Sequence, residues 1–313
     1  MRYLSVCSGI EAASVAWESL GWTPVAFAEI ERFPSQVLAH HFPGVPNLGD
    51  MTKFREWDID RGAVDLIVGG TPCQSFSVAG LRKGLEDPRG NLALTFLGMV
   101  DHFKPEWVIW ENVPVVLSSS GGRDFGSFLG ALGQLRYGFA YRVLDAQYFG
   151  VPQRRRRVFV VAHSSGDPRR AAEILLEPES LSGNYSENKE PKGWNITNEH
   201  ISGTVSSKWA KGTGGPSGDE CYNLVNQDGI RRLTTIECER LQGFPDDYTG
   251  IEYYRCCNLE FSIHLGKYGC PNCNGSKVAR LTKAADTSRY IAIGNSMAVP
   301  VMRWIGFRIQ DCR

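Results

Sequence analysis

Apolar residues in this chain come in short runs that stop abruptly. Tyr3 to Val6, Val25 to Ala28, Val64 to Val68 and Trp107 to Trp110 are the first four, and Tyr141 to Leu144 and Val158 to Ala162 follow. Runs of this length, bounded by glycine or polar residues, predict buried strands. Between them the spacing lengthens. Ala12, Val15, Ala16 and Leu20 share one face of a helix predicted over Glu11 to Leu20, with Gly21 as its C-terminal cap. Two more helices are predicted, Phe33 to His41, stopped by Pro43-Gly44, and Asn91 to His102. Strand and helix in alternation predict an α/β fold built on a doubly wound parallel sheet.

The texture changes at about Ser164. Residues 164–230 are rich in Ser, Gly, Asn, Lys and Glu without a clear period, which predicts a separate, loop-rich segment. Regular pattern returns with a helix capped by Thr234 or Thr235 and running through Leu241, ended by Gly243-Phe244-Pro245. Residues 251–289 form a further insertion, and a last helix is expected over about Val299 to Ile309. Composition adds bounds. A 313-residue chain with 42% hydrophobic and 22% charged residues is ordinary for a soluble protein of one or two domains. A net charge of +0 means that any nucleic-acid partner must be held by a local patch rather than a global basic field. Nine cysteines, an odd number, with no signal-peptide pattern at the start, predict a reducing, cytoplasmic setting. No apolar run approaches the ~20 residues of a membrane span, so no membrane is expected.

Chemistry is expected where the strands end. In a parallel sheet Gly9, Glu29, Cys73 and Glu111 all fall on one edge. Gly69-Gly70-Thr71-Pro72-Cys73 ends one strand in a sharp turn, and a thiol presented there suits nucleophilic attack. The loop from Ala79 to Gly90 holds three glycines and three basic residues beside it, as a mobile lid would. Glu29, after the second strand, is placed to accept from ribose hydroxyls, or is a solvated acid at a strand end. The first turn has one clear glycine, Gly9, where a dinucleotide fingerprint has three, which argues against NAD and leaves S-adenosylmethionine open. Asp50 either bonds an adenine amine or makes a turn. Arg154-Arg155-Arg156-Arg157 enters a strand, so Arg155 and Arg157 point one way and Arg154 and Arg156 the other, as a solvated face or a phosphate clamp.

Pro72-Cys73-Gln74, Glu111-Asn112-Val113, Gln153-x-Arg155-x-Arg157 and Gly294-Asn295-Ser296, in this order, resemble the DNA cytosine-5 methyltransferase family of bacterial or phage type. The likeness covers almost all of the chain outside 164–230 and 251–289. It implies a Rossmann-like S-adenosylmethionine-binding catalytic domain, 1–165 with 288–313, and a smaller target-recognition domain, 166–287, with double-stranded DNA between them. It implies methyl transfer to C5 of a flipped-out cytosine through a covalent bond from Cys73 to C6. Glu111 would hold the N3 and amine edge, Arg157 the base carbonyl, and Arg155 would brace Glu111 or a phosphate. Cys7, Ser8, Gly9, Glu11, Glu29, Ile30, Asp50, Pro72, Leu92, Asn295 and Ser296 would surround the cofactor, with Ile30 and Leu92 on the adenine and Asn295 and Ser296 at the methionine end. The first turn departs from the family's Phe-x-Gly-x-Gly: Cys7 replaces the aromatic residue and Glu11 the second glycine. An acid there sits at a helix N-terminus, placed to face the cofactor's ammonium group. A monomer is expected, with a cognate restriction endonuclease as candidate partner. Two alternatives stand beside this reading: a transfer-RNA cytosine-5 methyltransferase, and a catalytically silent DNA-binding regulator of the same fold.

Four of the nine cysteines fall in the insertion. Cys270-Pro271-Asn272-Cys273 followed by Asn274-Gly275 has the form of a zinc knuckle, and Cys256-Cys257 would complete a structural zinc site, with His264 as another ligand candidate. The other reading is four free thiols in a small hairpin.

Overall fold

Six strands form the central sheet of the computed structural model, which describes residues 1–72, 92–177, 201–211, 223–226, 229–256, 259–262, 279–281 and 284–313. For 208, 211, 223–226, 229–232, 253–256, 259–262 and 279–281 only the backbone is described. The strands are β1 (Arg2–Val6), β2 (Thr23–Ala28), β3 (Leu66–Gly69), β4 (Trp107–Asn112), β5 (Gly138–Asp145) and β6 (Arg156–His163), in the spatial order β2-β1-β3-β4-β6-β5. β1 to β4 pair in parallel, and β6 runs antiparallel to both β4 and β5. The predicted doubly wound α/β sheet is therefore present. The strand order reverses between β1 and β3, and such a switch point leaves a crevice beyond the strands' carboxyl ends. Because β6 is antiparallel, its first residues, Arg156 and Arg157, reach the same edge as Glu111 and Asn112 at the end of β4.

Strand alternation sends side chains to two cores. On one face Tyr3, Leu66, Val68, Trp107 and Phe159 pack with α1 (Ala12–Trp17), α5 (Pro168–Leu175), α7 (Asp286–Asn295) and α8 (Val299–Asp311). On the other, Leu4, Val6, Ile67, Val108 and Trp110 pack with α3 (Leu92–Phe103) and α4 (Arg123–Gln134). α2 (Arg32–His41) follows β2, and α6 (Thr235–Gln242) opens with a capping box between Thr234 and Glu237. That reciprocal pair satisfies two orphan backbone donors at the helix start.

Details differ from the sequence-based expectation. The helix expected over Glu11 to Leu20 is α1, followed by a 3-10 turn, Glu18–Leu20, closed by Gly21 at φ 66°. β3 starts at Leu66, two residues later than expected, and the Asp65 side chain before it accepts from the backbone N–H and guanidinium of Arg2. Past residue 165, the position expected to end the first domain, α5 continues to pack on β5 and β6, burying Ala171, Ile174 and Leu175. Two further small sheets are a hairpin of β7 (Asn223–Asn226) with β8 (Gly229–Arg232), and β9 (Tyr253–Cys256) flanked by β10 (Leu259–Ser262) and β11 (Ala279–Leu281). The zinc expectation on Cys256, Cys257, Cys270 and Cys273 lies outside the residues whose side chains are described. Among the described residues no helix is long and apolar enough to cross a membrane.

Candidate functional site

The turn after β1 is wound in the left-handed region at three of five residues: Cys7 (φ 48°), Gly9 (φ 56°) and Glu11 (φ 65°). Two of these carry side chains, and each such residue costs of order 1–3 kcal/mol unless its surroundings fix it. They do. Ser8 Oγ donates to Ser5 O (2.9 Å) and accepts from Ala28 N (3.2 Å). Gly9 N donates to Glu29 Oε2 (2.8 Å), while Glu29 Oε1 accepts from Glu31 N (2.7 Å). Asn47 locks the loop after β2, its Oδ1 accepting from Glu29 N and its Nδ2 donating to Glu29 O, both at 3.0 Å. The sequence signal for Asn47 is no more than an Asn at a loop start, where a side chain can replace backbone partners.

Glu29 is thus buried at the carboxyl end of β2, and burial raises its carboxyl above the ordinary range against the lowering effect of the Glu31 and Gly9 N–H groups. Beside it Ile30 is 69% exposed, an apolar side chain held out at the crevice. A Cβ on Gly9 would meet nothing within 4 Å, so open space lies over the turn. An acid, an exposed aliphatic and an open glycine turn at a switch point fit a nucleoside. Asp50 caps the 3-10 helix Met51–Glu56, its Oδ1 accepting from Thr52 N and Thr52 Oγ1. Leu92 starts α3, half-buried. Cys7 donates to Met51 Sδ at 3.5 Å, and burial pushes its thiol up to about 12. It is therefore a neutral thiol and no rival nucleophile. Glu11 turns inward: it is 1% exposed and accepts from Ser5 Oγ (2.7 Å), Ser14 N and Ser14 Oγ (both 3.1 Å). It braces the turn from inside.

The second half of the site lies where β3 and β4 end. A Cβ on Gly70 would stand 2.8 Å from Glu111 Oε2, so only glycine lets the carboxyl group lie against this backbone. Trp110 Nε1 donates to Thr71 Oγ1 (3.0 Å), and Asn112 Nδ2 donates to Thr71 O (2.9 Å). Two side chains of β4 thus fix the residue two before Cys73. Cys73 itself and the lid loop Ala79 to Gly90 lie outside the described residues, while Pro72 is exposed. Glu111 pairs with Arg157, Oε1 to Nε at 3.2 Å. Burial raises the Glu111 carboxyl, and Arg157 and Arg155 pull it down.

The four arginines alternate. Arg155 is 2% exposed and Arg157 half-buried, while Arg154 and Arg156 are exposed. The expected brace from Arg155 to Glu111 is replaced by one from Arg157. Arg155 instead donates to Val205 O (3.0 Å), Gly294 O (3.1 Å) and Ser296 O (2.6 Å). Fully buried Gln153 accepts from Val205 N (2.8 Å) and donates to Leu241 O (2.7 Å) and Gln242 Oε1 (3.2 Å). Gln242 in turn donates to Ile293 O (2.8 Å). The Gln-x-Arg-x-Arg motif therefore has three outputs: Gln153 to α6, Arg155 to the turn after α7, and Arg157 to Glu111. Asn295, the last residue of α7, is exposed, and Ser296 is buried with Oγ donating to Met297 O. Gln242 had no sequence signal beyond lying near a predicted helix end.

The family model for C-5 cytosine-specific DNA methylase matches residues 1–209 and 177–255. A DNA N-6-adenine-methyltransferase of Escherichia phage P1 is 34% identical across 99% of this chain, which spans 61% of that relative's length. Type II methyltransferase M.NgoBI of Neisseria gonorrhoeae is 32% identical, with 79% of this chain and 83% of the relative covered. The solved Dnmt2 methyltransferase of S. pombe superposes with a TM-score of 0.61 over 99% of both chains at 16% identity. A putative DNA modification methyltransferase encoded within an E. coli prophage gives 0.58, again over 99% of both chains, at 17% identity. At such identities the likeness speaks for the fold.

Proposed function

The chain belongs to the C-5 cytosine-specific DNA methylase family, and from that premise we propose that it methylates C5 of a cytosine flipped out of duplex DNA. The observation that carries this is the Glu111–Arg157 pair packed on Gly70, at the edge where the Trp110 and Asn112 bonds fix Thr71, two residues before Cys73 in sequence. C5 of cytosine is a poor nucleophile. A thiolate from Cys73 adding at C6 makes the ring an enamine, and its C5 can then attack an electrophilic carbon. Glu111, raised by burial, suits a group that shares a proton with N3 while its Oε1 stays bound to Arg157. Arg157 also supplies donors for the base carbonyl, and Arg155 is a positioning residue. Loss of the C5 proton and expulsion of the Cys73 sulfur restore the ring.

S-adenosylmethionine, when bound, supplies the electrophilic methyl group. Glu29, Ile30 and the Gly9 turn would hold its nucleoside, with Asp50 and Leu92 nearby and Asn295 and Ser296 toward its other end. Residues 1–175 with 284–313 serve as the catalytic domain, since α5 and Ala284 share its core, and the part that reads the target falls between them. The base must leave the stack for C6 to be reached, which assigns the loop after Cys73 to covering it. The type II relatives make a modification role beside a restriction enzyme the natural setting.

The phage relative's name raises a second reading, N6-adenine methylation. An exocyclic amine carries its own lone pair and needs no thiolate, so a Cys73–Glu111–Arg157 set favours carbon as the acceptor. Nucleoside analysis decides. DNA treated with the protein and S-adenosylmethionine, then digested, should yield 5-methylcytosine; N6-methyladenine, or methylation of transfer RNA instead, overturns the reading. Cys73→Ser should abolish transfer and keep cofactor binding, and a duplex with 5-fluorocytosine at the target should trap a covalent adduct with the wild type.

A further inference from the structure

Ile10 lies between two left-handed residues, Gly9 (φ 56°) and Glu11 (φ 65°), and is fully buried. In a regular helix its carbonyl would accept from the N–H of Ser14. Here Ser14 N donates to Glu11 Oε1 instead (3.1 Å). A buried carbonyl displaced in this way needs another donor. Tyr248 supplies it, with its hydroxyl donating to Ile10 O at 3.0 Å. Tyr248 comes from the far half of the chain, in the loop that follows α6, and is itself buried. Its ring is held in place: His41 of α2 stacks on it with centroids 3.9 Å apart and planes 1° from parallel, and Phe244 lies 4.9 Å away. His41 Nε2 also donates to Tyr248 O (2.8 Å). Burial raises the Tyr248 hydroxyl well above its ordinary range, so it keeps its proton and remains a donor. The turn it reaches is the one whose Gly9 N donates to Glu29 Oε2 (2.8 Å).

We propose that Tyr248 is a positioning residue for S-adenosylmethionine: its hydroxyl fixes the Ile10 carbonyl, and with it the left-handed turn and the Glu29 carboxyl group that hold the nucleoside. This rests on the cofactor reading above. Tyr248 acts through the turn and not by contact with the cofactor. A left-handed residue that carries a side chain persists only where its surroundings fix it. Without the hydroxyl the Ile10 carbonyl is buried with its donor gone, and the peptide gains by turning toward another. Only a fraction of the chains then holds the binding-competent turn, and the apparent affinity falls by that fraction. Bound cofactor restores the same turn, so the transfer step itself is unaltered.

The test is S-adenosylmethionine binding to Tyr248→Phe, which keeps the ring against His41 and Phe244 and removes the hydroxyl alone. Calorimetry should show an affinity lower by about tenfold, equivalent to about 1.4 kcal/mol. The KM for the cofactor should rise in step, while kcat at saturating cofactor stays within about twofold, because only the competent fraction has changed. Tyr137→Phe is the comparison. Tyr137 donates to Pro105 O (2.6 Å), a buried bond of the same kind before β4 and β5, at the opposite edge of the sheet. It should lower the melting temperature as Tyr248→Phe does and leave cofactor affinity where it was. Equal losses of affinity in the two variants would mark a general loss of stability and overturn the inference. So would a fall in kcat with KM unchanged, or loss of a cooperative melting transition in Tyr248→Phe. A wild type that binds no S-adenosylmethionine overturns the cofactor reading and this inference with it. A wild type that binds it no more tightly than Tyr248→Phe fails the inference alone.

Discussion

Glu11 holds a carboxyl group away from water beneath the left-handed turn, and burial pushes it up to about 7 from an ordinary 4.5. The hydroxyls of Ser5 and Ser14 and the Ser14 N–H keep it from rising further. Between pH 4.5 and 7 the unfolded chain releases this proton while the folded chain keeps it, so stability falls as pH rises through that window. Above it the penalty is constant at about 3 kcal/mol, from about 1.4 kcal/mol per unit. Glu11→Gln should therefore melt several degrees above the wild type at pH 8, the gap closing as pH drops toward 4.5. Melting followed by circular dichroism checks this; an offset independent of pH would show that Glu11 is ionised in both states. The helix N-terminus was legible from Gly9-Ile10-Glu11. The direction of the side chain was not, because a positive φ at a glutamate depends on Ser5 and Ser14 meeting it from two other elements.

At the scale of elements, the ends of β3 and β4 behave as one unit. Asn112 accepts from Val113 N through Oδ1 and donates to Thr71 O through Nδ2, both at 2.9 Å. Asn112→Ala should let the Thr71-Pro72 segment shift, lowering the rate of methyl transfer about a hundredfold, the usual cost of a 1 Å misplacement. Asn112→Asp separates positioning from mere stability: it keeps the acceptor for Val113 and loses the donor to Thr71. It should lose as much rate as the alanine variant while duplex binding holds. Rescue by Asp would move the role to Val113. The strands themselves were legible as apolar runs because both faces of the sheet are covered. Their bounds moved by a residue or two, as at the start of β3. α5 was missed inside a polar stretch although Asp167-Pro168 is a helix start, with Asp167 accepting from Arg169 N. Its three buried residues, spaced for one face, were outvoted by the composition around them.

For the molecule as a whole, the segment 252–283 leaves and re-enters at one point. Ala284 N donates to Ile251 O (3.2 Å), and both residues are buried in the core that includes α1, α7 and α8. Arg289 of α7 clamps the stem: it donates to Thr249 Oγ1 (2.9 Å), Glu239 Oε1 (3.1 Å) and Asp247 Oδ1 (2.8 Å). Tyr248, between those partners, stacks on His41 with ring centroids 3.9 Å apart and donates to Ile10 O (3.0 Å). Among the described residues, the stem is held by Arg289, His41 and Ile10, all outside 252–283. β10 also lies along α2, so removing the segment uncovers some of that helix. Against this loss, a shorter link closes at lower entropic cost. Replacing 252–283 by a short Gly-Ser link should lower the melting temperature by no more than roughly 4–8 °C, the equivalent of about 2 kcal/mol. S-adenosylmethionine affinity should stay within about threefold, since the Gly9 turn is still held through Tyr248, and a change in ΔG smaller than about 0.6 kcal/mol amounts to no more than that. DNA methylation should change most, as the segment lies in the part assigned to reading the target. Thermal melting and calorimetry with the cofactor measure the first two. Loss of a cooperative transition, or of cofactor binding, would mean that the segment is part of the catalytic fold and not an addition to it.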